Sequence, residues 1–229
     1  MTVSIHQPDY IPYLGYFYKI SRAERFVFLD DAQFSCDNMH HWNRVKTPQG
    51  EVRLKVPTEH SFGDPINAVR PRDELKWKQK HLKTIELNYA RAPYFKQIFP
   101  DFADLLCRAW RNLADMNVAI NTWIARSFGF STQFYRSSEM EINTVREARV
   151  IDICKKMDAD VYLSGNGARA YQTEQHFTDR GVQLVYTDYH PFEYPQAWGA
   201  FLPNLSVLDY IFHCGFDWER VRQAMGVTV

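Results

Sequence analysis

The feature that most constrains the fold is a strand, a glycine turn, a helix and a strand in close succession. Residues 160–163 form an apolar strand that stops at the turn of residues 164–167. A helix is predicted at about 168–179, and a second strand at 182–187. Two strands joined through a helix in this way pair in parallel, with a right-handed crossover. The sequence therefore predicts an α/β protein with a three-layer, Rossmann-like core and a mostly parallel sheet.

The amino-terminal part of the chain is predicted to contain strands and ordered loops. Apolar runs indicate strands at 2–6 and 25–29, with a helix at about 13–21 between them. Two further strands, at 41–46 and 51–56, are separated by a Thr-Pro-Gln-Gly turn signal. This alternation of strand and helix agrees with the α/β class.

Residues 73–129 have apolar residues at helical spacing and are predicted to form an insertion of three or four helices. Two of these helices fit residues 102–113 and 117–128. Pro100 is expected to break the helical pattern, and Gly129 suits a helix C-cap.

The last hundred residues return to the alternating pattern. A strand is predicted at 132–136, and Thr144 with Glu147 forms a capping box ahead of a helix that reaches about residue 157. We therefore expect one α/β domain over residues 1–229, with 1–72 and 130–229 forming its core and 73–129 inserted as helices.

Charge and cysteine content exclude some classes of function. The 27 Lys and Arg balance the 27 Asp and Glu, whereas proteins that neutralise many phosphates usually carry a basic excess. Broad nucleic-acid binding is therefore not expected. The four cysteines are widely spaced without a CxxC pair, so no metal site is predicted. The absence of a signal sequence or a long apolar run favours a cytoplasmic protein without a membrane partner.

The segment HQPDYIPYLGYFYK after the first strand carries the densest group of polar and aromatic residues. Ligands of open parallel sheets bind at the carboxyl ends of the strands, near helix N-termini that favour anions. We expect His6 to act as a base there, while Gly15 allows close approach of a ligand. Gln7, Tyr10 and Tyr16 are candidate substrate contacts. The alternative is that the prolines and tyrosines only rigidify a turn.

Two further groups of candidates follow the next strands. Asp30 and Asp31 end the second strand and are candidate catalytic carboxylates that orient His6, although neighbouring strand residues point to opposite faces. Asn43 and Arg44 are candidate substrate contacts, because a guanidinium binds phosphate or carboxylate well. The neighbouring His40-His41 pair has no third ligand at a telling spacing, so it does not indicate a metal.

The turn YLSGNGARAY is the last strand end with binding potential. A strand, a glycine turn and a helix N-terminus together make an anion site, so Ser164, Gly165, Gly167 and Tyr171 are candidate substrate contacts. Gln196, in a Tyr-Pro-Gln segment, is a further candidate. Ser206 and Asp209 are placed as a helix N-cap and a first-turn acid.

Together these segments resemble the WbqC-like protein family. The resemblance covers residues 3–215 and rests on HQPDYIPYLGYF, FVFLDDAQF, WNR, LKVP, KHLKTIELNY, YLSGNGARAY, YPQ and FLPNLSVLDYIFHCG. It implies a role in bacterial surface-polysaccharide (O-antigen, lipopolysaccharide) biosynthesis, and glycine transfer has been suggested for some members. Asp9 departs from the family pattern and receives no role.

The leading hypothesis is a transferase that moves an acyl or aminoacyl group, with glycyl as a candidate, to the amine of a nucleotide-linked sugar. It needs an anion site, a base and donors to a tetrahedral oxyanion. One alternative is ATP-dependent activation of a small carboxylate by a HIGH-like His6 loop. Another is a non-catalytic nucleotide-sugar-binding assembly factor. The sequence does not identify a cofactor or an oligomeric state.

Overall fold

A computed structural model of the chain describes residues 1–226, which contain nine strands and eight α-helices. The strands are β1 (Thr2–His6), β2 (Arg25–Phe28), β3 (Trp42–Thr47), β4 (Gly50–Lys55), β5 (Thr58–Glu59), β6 (Arg70–Pro71), β7 (Gln133–Arg136), β8 (Val161–Ser164) and β9 (Gln183–Tyr186). The helices are α1 (Leu14–Ser21), α2 (Trp77–Tyr89), α3 (Phe95–Cys107), α4 (Leu113–Ser127), α5 (Arg146–Lys156), α6 (Glu174–Thr178), α7 (Val207–Cys214) and α8 (Trp218–Ala224).

Five strands form one parallel sheet in the order β7-β2-β1-β8-β9. The central strand β1 is buried on both faces, as its apolar sequence predicts, and the hydroxyl of Ser4 donates to the carbonyl oxygen of Leu163 at 2.7 Å. The predicted parallel α/β class is confirmed. The predicted strands near residues 41–56 form the separate antiparallel hairpin β3–β4.

Alternating strand residues divide the core into two apolar layers. Phe26 and Phe28 belong to a large cluster shared with α1, α4 and α7, whereas Val27 faces a smaller cluster with α5 and α6. Successive side chains of a strand point to opposite faces, so both sides of the sheet are covered. The result is the predicted three-layer, Rossmann-like arrangement.

The helices of the predicted insertion differ from the expectation at one proline. Helix α3 runs from Phe95 through Pro100 to Cys107, so the expected break at Pro100 and the expected helix at 102–113 were both wrong. Pro100, the sixth of the thirteen residues of this helix, removes a single intrahelical hydrogen bond. Burial of Phe102 and Leu106, together with other residues on the same face, outweighs that loss. Gly129 adopts a φ of +83° after α4, as a C-cap requires.

Two other local predictions are corrected. The helix expected at 168–179 is reduced to α6, because a short 3₁₀ helix and a turn occupy the preceding residues. The capping box of Thr144 and Glu147 does not form. The Thr144 hydroxyl donates to Asp152 at 2.7 Å, and Glu147 accepts from the backbone amide of Thr173 at 2.7 Å. Glu147 therefore joins α5 to the segment before α6.

Candidate functional site

A cavity of about 400 Å³ lies at the carboxyl edge of the sheet, where β1, β8 and β9 end. Its volume is within the range of small-molecule sites. Eight of the predicted site residues line it: His6, Gln7, Gly15, Tyr16, Ser164, Gly165, Gly167 and Tyr171. The segments after β1 and β8 therefore meet at one place, since parallel neighbours end at the same edge.

The His6 side chain has one ring nitrogen that forms no hydrogen bond with the loop after β1. Its Nδ1 lies 3.1 Å from the carbonyl oxygen of Gln7 and 3.8 Å from the carboxylate of Asp9. A carbonyl only accepts, so Nδ1 carries the proton and Nε2 is left as an acceptor. Burial, reinforced by the charge of Lys19, lowers the pKa of His6 well below its ordinary value. His6 is therefore neutral at pH 7 with Nε2 free to accept a proton, and its lowered pKa makes it a weaker base than an ordinary histidine.

Lys19 is a buried cation that the sequence analysis did not single out. Its side chain lines the cavity, and Nζ donates to the carbonyl oxygen of Ile5 at 2.7 Å. Burial lowers the pKa of Lys19 to about 7, an effect that Asp9 partly offsets. Burial likewise raises the pKa of Asp9 to about 7, while Lys19 opposes the shift. The local charge at the cavity therefore changes near neutral pH.

The loop after β1 is held by donors to eight consecutive carbonyl oxygens, those of residues 5–12. Three buried asparagines, on β3 and α4, supply four of these hydrogen bonds. In chain order the donors are Lys19 Nζ, Leu29 N, Tyr16 Oη, Asn117 Nδ2, Asn121 Nδ2, Asn43 Nδ2 for two successive carbonyls, and Val207 N. Such complete pairing fixes the loop and with it the position of His6.

Ile11 in this loop is backbone-strained. It is fully buried and has a φ of 38°, which a β-branched residue rarely adopts. The Nδ2 group of Asn43 donates to its carbonyl oxygen at 2.9 Å and helps to hold it. Strained residues that persist because their surroundings determine them are concentrated at functional sites.

Gly15 allows a close approach as predicted, but the approaching groups are the rings of two tyrosines of the protein rather than a ligand. A Cβ at this position would lie 2.4 Å from the ring of Tyr13 and 2.5 Å from the ring of Tyr189. The two rings meet edge to face at 5.9 Å between centroids, and both line the cavity. Glycine is therefore required at the start of α1 to form this aromatic wall.

The turn after β8 forms the opposite side of the cavity. The buried Ser164 hydroxyl donates to Gln172 Oε1 at 2.9 Å. Gly165 has an ordinary φ of −76°, and a Cβ at Gly165 or Gly167 would meet nothing within 4 Å. Their absent side chains leave open space for a ligand. Tyr171 lines the cavity while remaining 73% exposed.

Asp30 and Asp31 lie outside this cavity. Asp30 is buried and accepts from the amide of Ser138 at 3.0 Å and from its hydroxyl at 2.8 Å. Asp31 accepts from Arg149 and from the hydroxyl of Ser137, each at 2.5 Å. Both carboxylates therefore join the end of β2 to the segment after β7 and to α5, rather than facing His6.

Tyr10, Asn43 and Arg44 are likewise not part of the cavity lining. Tyr10 is fully buried and its hydroxyl lies 2.9 Å from Nδ1 of His81. Asn43 holds the loop, as described above. Arg44 forms an ion pair with Glu51 across the β3–β4 hairpin at 2.9 Å.

Gln196 belongs to a second buried network, which is centred on Asp209. The Asp209 carboxylate accepts from Gln196 at 2.8 Å, from Tyr89 at 2.8 Å and from Tyr194 at 2.9 Å. Gln196 also accepts from Lys46 Nζ at 3.0 Å. Ser206 caps α7 through Leu208 N, and Asp209 lies in the first turn of that helix, both as predicted. The Asp209 side chain is buried and accepts the hydrogen bonds of this network.

Several cavity residues were missed by the sequence analysis. Gly15, Tyr16 and Lys19 share one face of α1, so helical spacing after Gly15 was a signal that would have identified Lys19. Thr187 and Tyr189 follow β9 and carried no comparable signal. Within residues 1–226, no group of three or more His, Cys, Asp or Glu side chains is placed to hold a metal ion. No helix of that described range is long and apolar enough to cross a membrane.

The fold and this cavity define a parallel α/β protein with a polar and aromatic cavity, a candidate ligand site, at the carboxyl edge of its sheet. The chain belongs to the WbqC-like protein family, whose model matches residues 7–221. The Mycobacterium tuberculosis (strain ATCC 25618 / H37Rv) protein Rv1507c, described as uncharacterized, is 31% identical over 219 residues, which cover 94% of each chain. No solved structure matches the chain.

Proposed function

We propose that the cavity is the active site of a transferase that moves an acyl or aminoacyl group, with glycyl as the first candidate, onto the amine of a nucleotide-linked sugar. The observation that carries this proposal is the neutral His6, whose Nε2 is free of the loop in a cavity that also contains Lys19. A base and a cation side by side match a substrate with an amine to deprotonate and phosphates to bind.

In the proposed reaction the sugar amine attacks the carbonyl carbon of the acyl donor. His6 Nε2 accepts the amine proton, the new C–N bond forms, and the bond from the carbonyl carbon to the donor's leaving group breaks. The leaving group takes the proton back from His6. Lys19 binds a phosphate of the nucleotide, and Tyr13 and Tyr189 provide an aromatic wall for the sugar or the base.

A transfer assay tests this function. The purified protein is incubated with an amino sugar linked to uridine diphosphate and a glycyl thioester, and the product is followed by mass spectrometry. We expect a glycyl amide of the sugar and a free thiol in equal amounts. His6→Asn keeps a donor toward the Gln7 carbonyl but removes the base, so the rate should fall by about 10²–10⁴ with little change in affinity.

Two other outcomes contradict the proposal. In the first, the product forms only when free glycine, ATP and Mg²⁺ are supplied, and pyrophosphate is released. That result assigns the cavity to carboxylate activation. Tight binding of the nucleotide-sugar without turnover, and with only the affinity changed in His6→Asn, assigns it to a binding protein.

A further inference from the structure

A cysteine and a histidine lie together at a second place, away from the cavity described above. The loop after β2 carries Cys36, whose Sγ lies 3.6 Å from Nε2 of His60, just after β5. The other ring nitrogen of His60 lies 3.2 Å from the hydroxyl oxygen of Thr58. A thiol, an imidazole and a third group that orients the imidazole form the arrangement that activates a nucleophile.

The direction of the two hydrogen bonds follows from the chemistry of the ring. When Nδ1–H donates to the Thr58 hydroxyl, Nε2 of a neutral His60 keeps its lone pair toward the Cys36 thiol. Nε2 is then placed to accept the thiol proton. A thiolate beside a protonated histidine is the reactive form of cysteine.

Open space adjoins this pair on two sides. A cavity of about 530 Å³ is lined by Cys36, His60, Phe34 and Phe62, and Phe62 is almost completely exposed. A cavity of about 310 Å³ is lined by Cys36, His60, His41, Lys55 and Arg72. The thiol therefore lies between an aromatic surface and a basic one.

His41 gives an independent indication that the basic cavity binds a ligand. It is 1% exposed, and its Nδ1 has no hydrogen-bond partner in residues 1–226. Buried polar atoms are nearly always paired, so an unpaired one that borders a cavity indicates a missing partner. Lys55 and Arg72 bring positive charge to the same cavity, although Arg72 also pairs with Glu74 at 2.8 Å. An anionic group fits the positive charge of these two side chains.

We propose that Cys36, with His60 as its base, is a reactive thiol that takes electrophiles carrying an anionic group, of the class of small acidic disulfides. His60 accepts the thiol proton, and the Cys36 thiolate attacks one sulfur of the disulfide. The new S–S bond forms as the disulfide's own S–S bond breaks. The leaving thiolate takes the proton from His60, so Cys36 is oxidised to a mixed disulfide and half of the reagent is reduced to a thiol.

Alkylation by iodoacetamide, measured for each cysteine by mass spectrometry, tests the activation. Cys107 is also exposed and free, and thus serves as the control within the same molecule. We expect Cys36 to react about tenfold faster than Cys107 at pH 7. His60→Asn should bring Cys36 to the rate of Cys107. The charged and titratable groups around Cys36 and His60 are Asp37, His41, Lys55, Glu59 and Arg72.

Two aromatic disulfides test the anionic preference: the dianionic dithiobis(nitrobenzoate) and the neutral dithiodipyridine. For each cysteine, the rate with the dianionic disulfide is divided by the rate with the neutral disulfide. This ratio should be about tenfold higher at Cys36 than at Cys107, and Lys55→Gln should lower it at Cys36. Equal alkylation rates at the two cysteines that are insensitive to His60→Asn would overturn the activation. Equal rate ratios at the two cysteines would overturn the proposed preference for anionic disulfides. The buried Cys154 and Cys214 should stay unmodified in every variant that retains the fold.

Discussion

Asn117 on α4 donates from Nδ2 to the carbonyl oxygen of Pro8 at 2.8 Å and to that of His40 at 2.7 Å. A helix of the predicted insertion therefore holds both the loop that follows His6 and the loop that follows β2. Helix α4 therefore helps to position the loops beside the candidate site.

Replacing this amide tests its contribution to stability. Asn117→Leu leaves two buried carbonyl oxygens without their donor, and each unsatisfied group costs about 1–3 kcal/mol. We expect the free energy of unfolding in urea to fall by at least ~2 kcal/mol. Asn88→Leu is the control, because its amide donates to Thr84 within the same helix and is half-buried. That variant should change stability by no more than ~0.5 kcal/mol. Equal losses in the two variants would refute a special role of Asn117.

Gly15→Ala tests the aromatic wall. The added methyl would overlap the rings of Tyr13 and Tyr189, so the helix start or the rings must move, at a cost of about 1–3 kcal/mol. Gly167→Ala adds the same methyl to the same cavity with nothing within 4 Å, and it should leave the thermal midpoint almost unchanged. If the two variants melted alike, Gly15 would not be required by packing.

The buried histidines predict loss of stability in mild acid. Burial lowers the pKa of His40, His41 and His81 to about 4 each. Below pH 6.5 these histidines are protonated in the unfolded chain but stay neutral in the native protein, so the free energy of unfolding falls as the pH drops toward 4. The limit is about 1.4 kcal/mol per pH unit for each histidine.

Asp9 acts in the opposite direction, because its pKa is raised to about 7 and its contribution grows as the pH falls from 7 toward 4. Burial also raises the pKa of Asp209, which acts with Asp9, and it lowers the pKa of His6, which acts with the other three histidines. Four histidines outweigh two carboxyl groups. Urea unfolding at pH 7, 6 and 5 should therefore show decreasing stability, and His81→Gln should make the slope shallower. A free energy of unfolding that is the same or higher at pH 5 than at pH 7 would contradict this prediction.

The part of the site that the sequence predicted is the part that topology fixes. Strand ends of a parallel sheet lie at one edge, and His6 and Ser164, at the ends of the neighbouring strands β1 and β8, line one cavity there. The same rule does not bring every strand end together. Strand β2 is also a neighbour of β1, at a distance of about 4.8 Å. Asp30 at the end of β2 nevertheless accepts a hydrogen bond from Ser138, which follows β7.

The other site predictions came from residue type and family resemblance, which do not distinguish a ligand contact from a buried structural contact. Asn43 and Gln196 satisfy backbone and carboxylate groups inside the protein. Their polar character is required because the loop carbonyls and Asp209 are buried. Lys19 was missed for the opposite reason, since a lysine in an apolar helix is usually expected to reach solvent.

The central claim, that the cavity binds a nucleotide-linked amino sugar beside Lys19, is tested most directly by calorimetric titration of such a sugar at pH 6 and pH 8. Lys19→Met removes the cation, and Lys46→Met is the matched control, because Lys46 is also buried and also donates to a carbonyl, but outside the cavity. The pKa of Lys19 is lowered to about 7, so more of it is charged at pH 6. The account predicts tighter binding at pH 6 than at pH 8, at least tenfold weaker binding in Lys19→Met, and unchanged binding in Lys46→Met. Equal affinity in Lys19→Met and the native protein, or no binding at either pH, would contradict it.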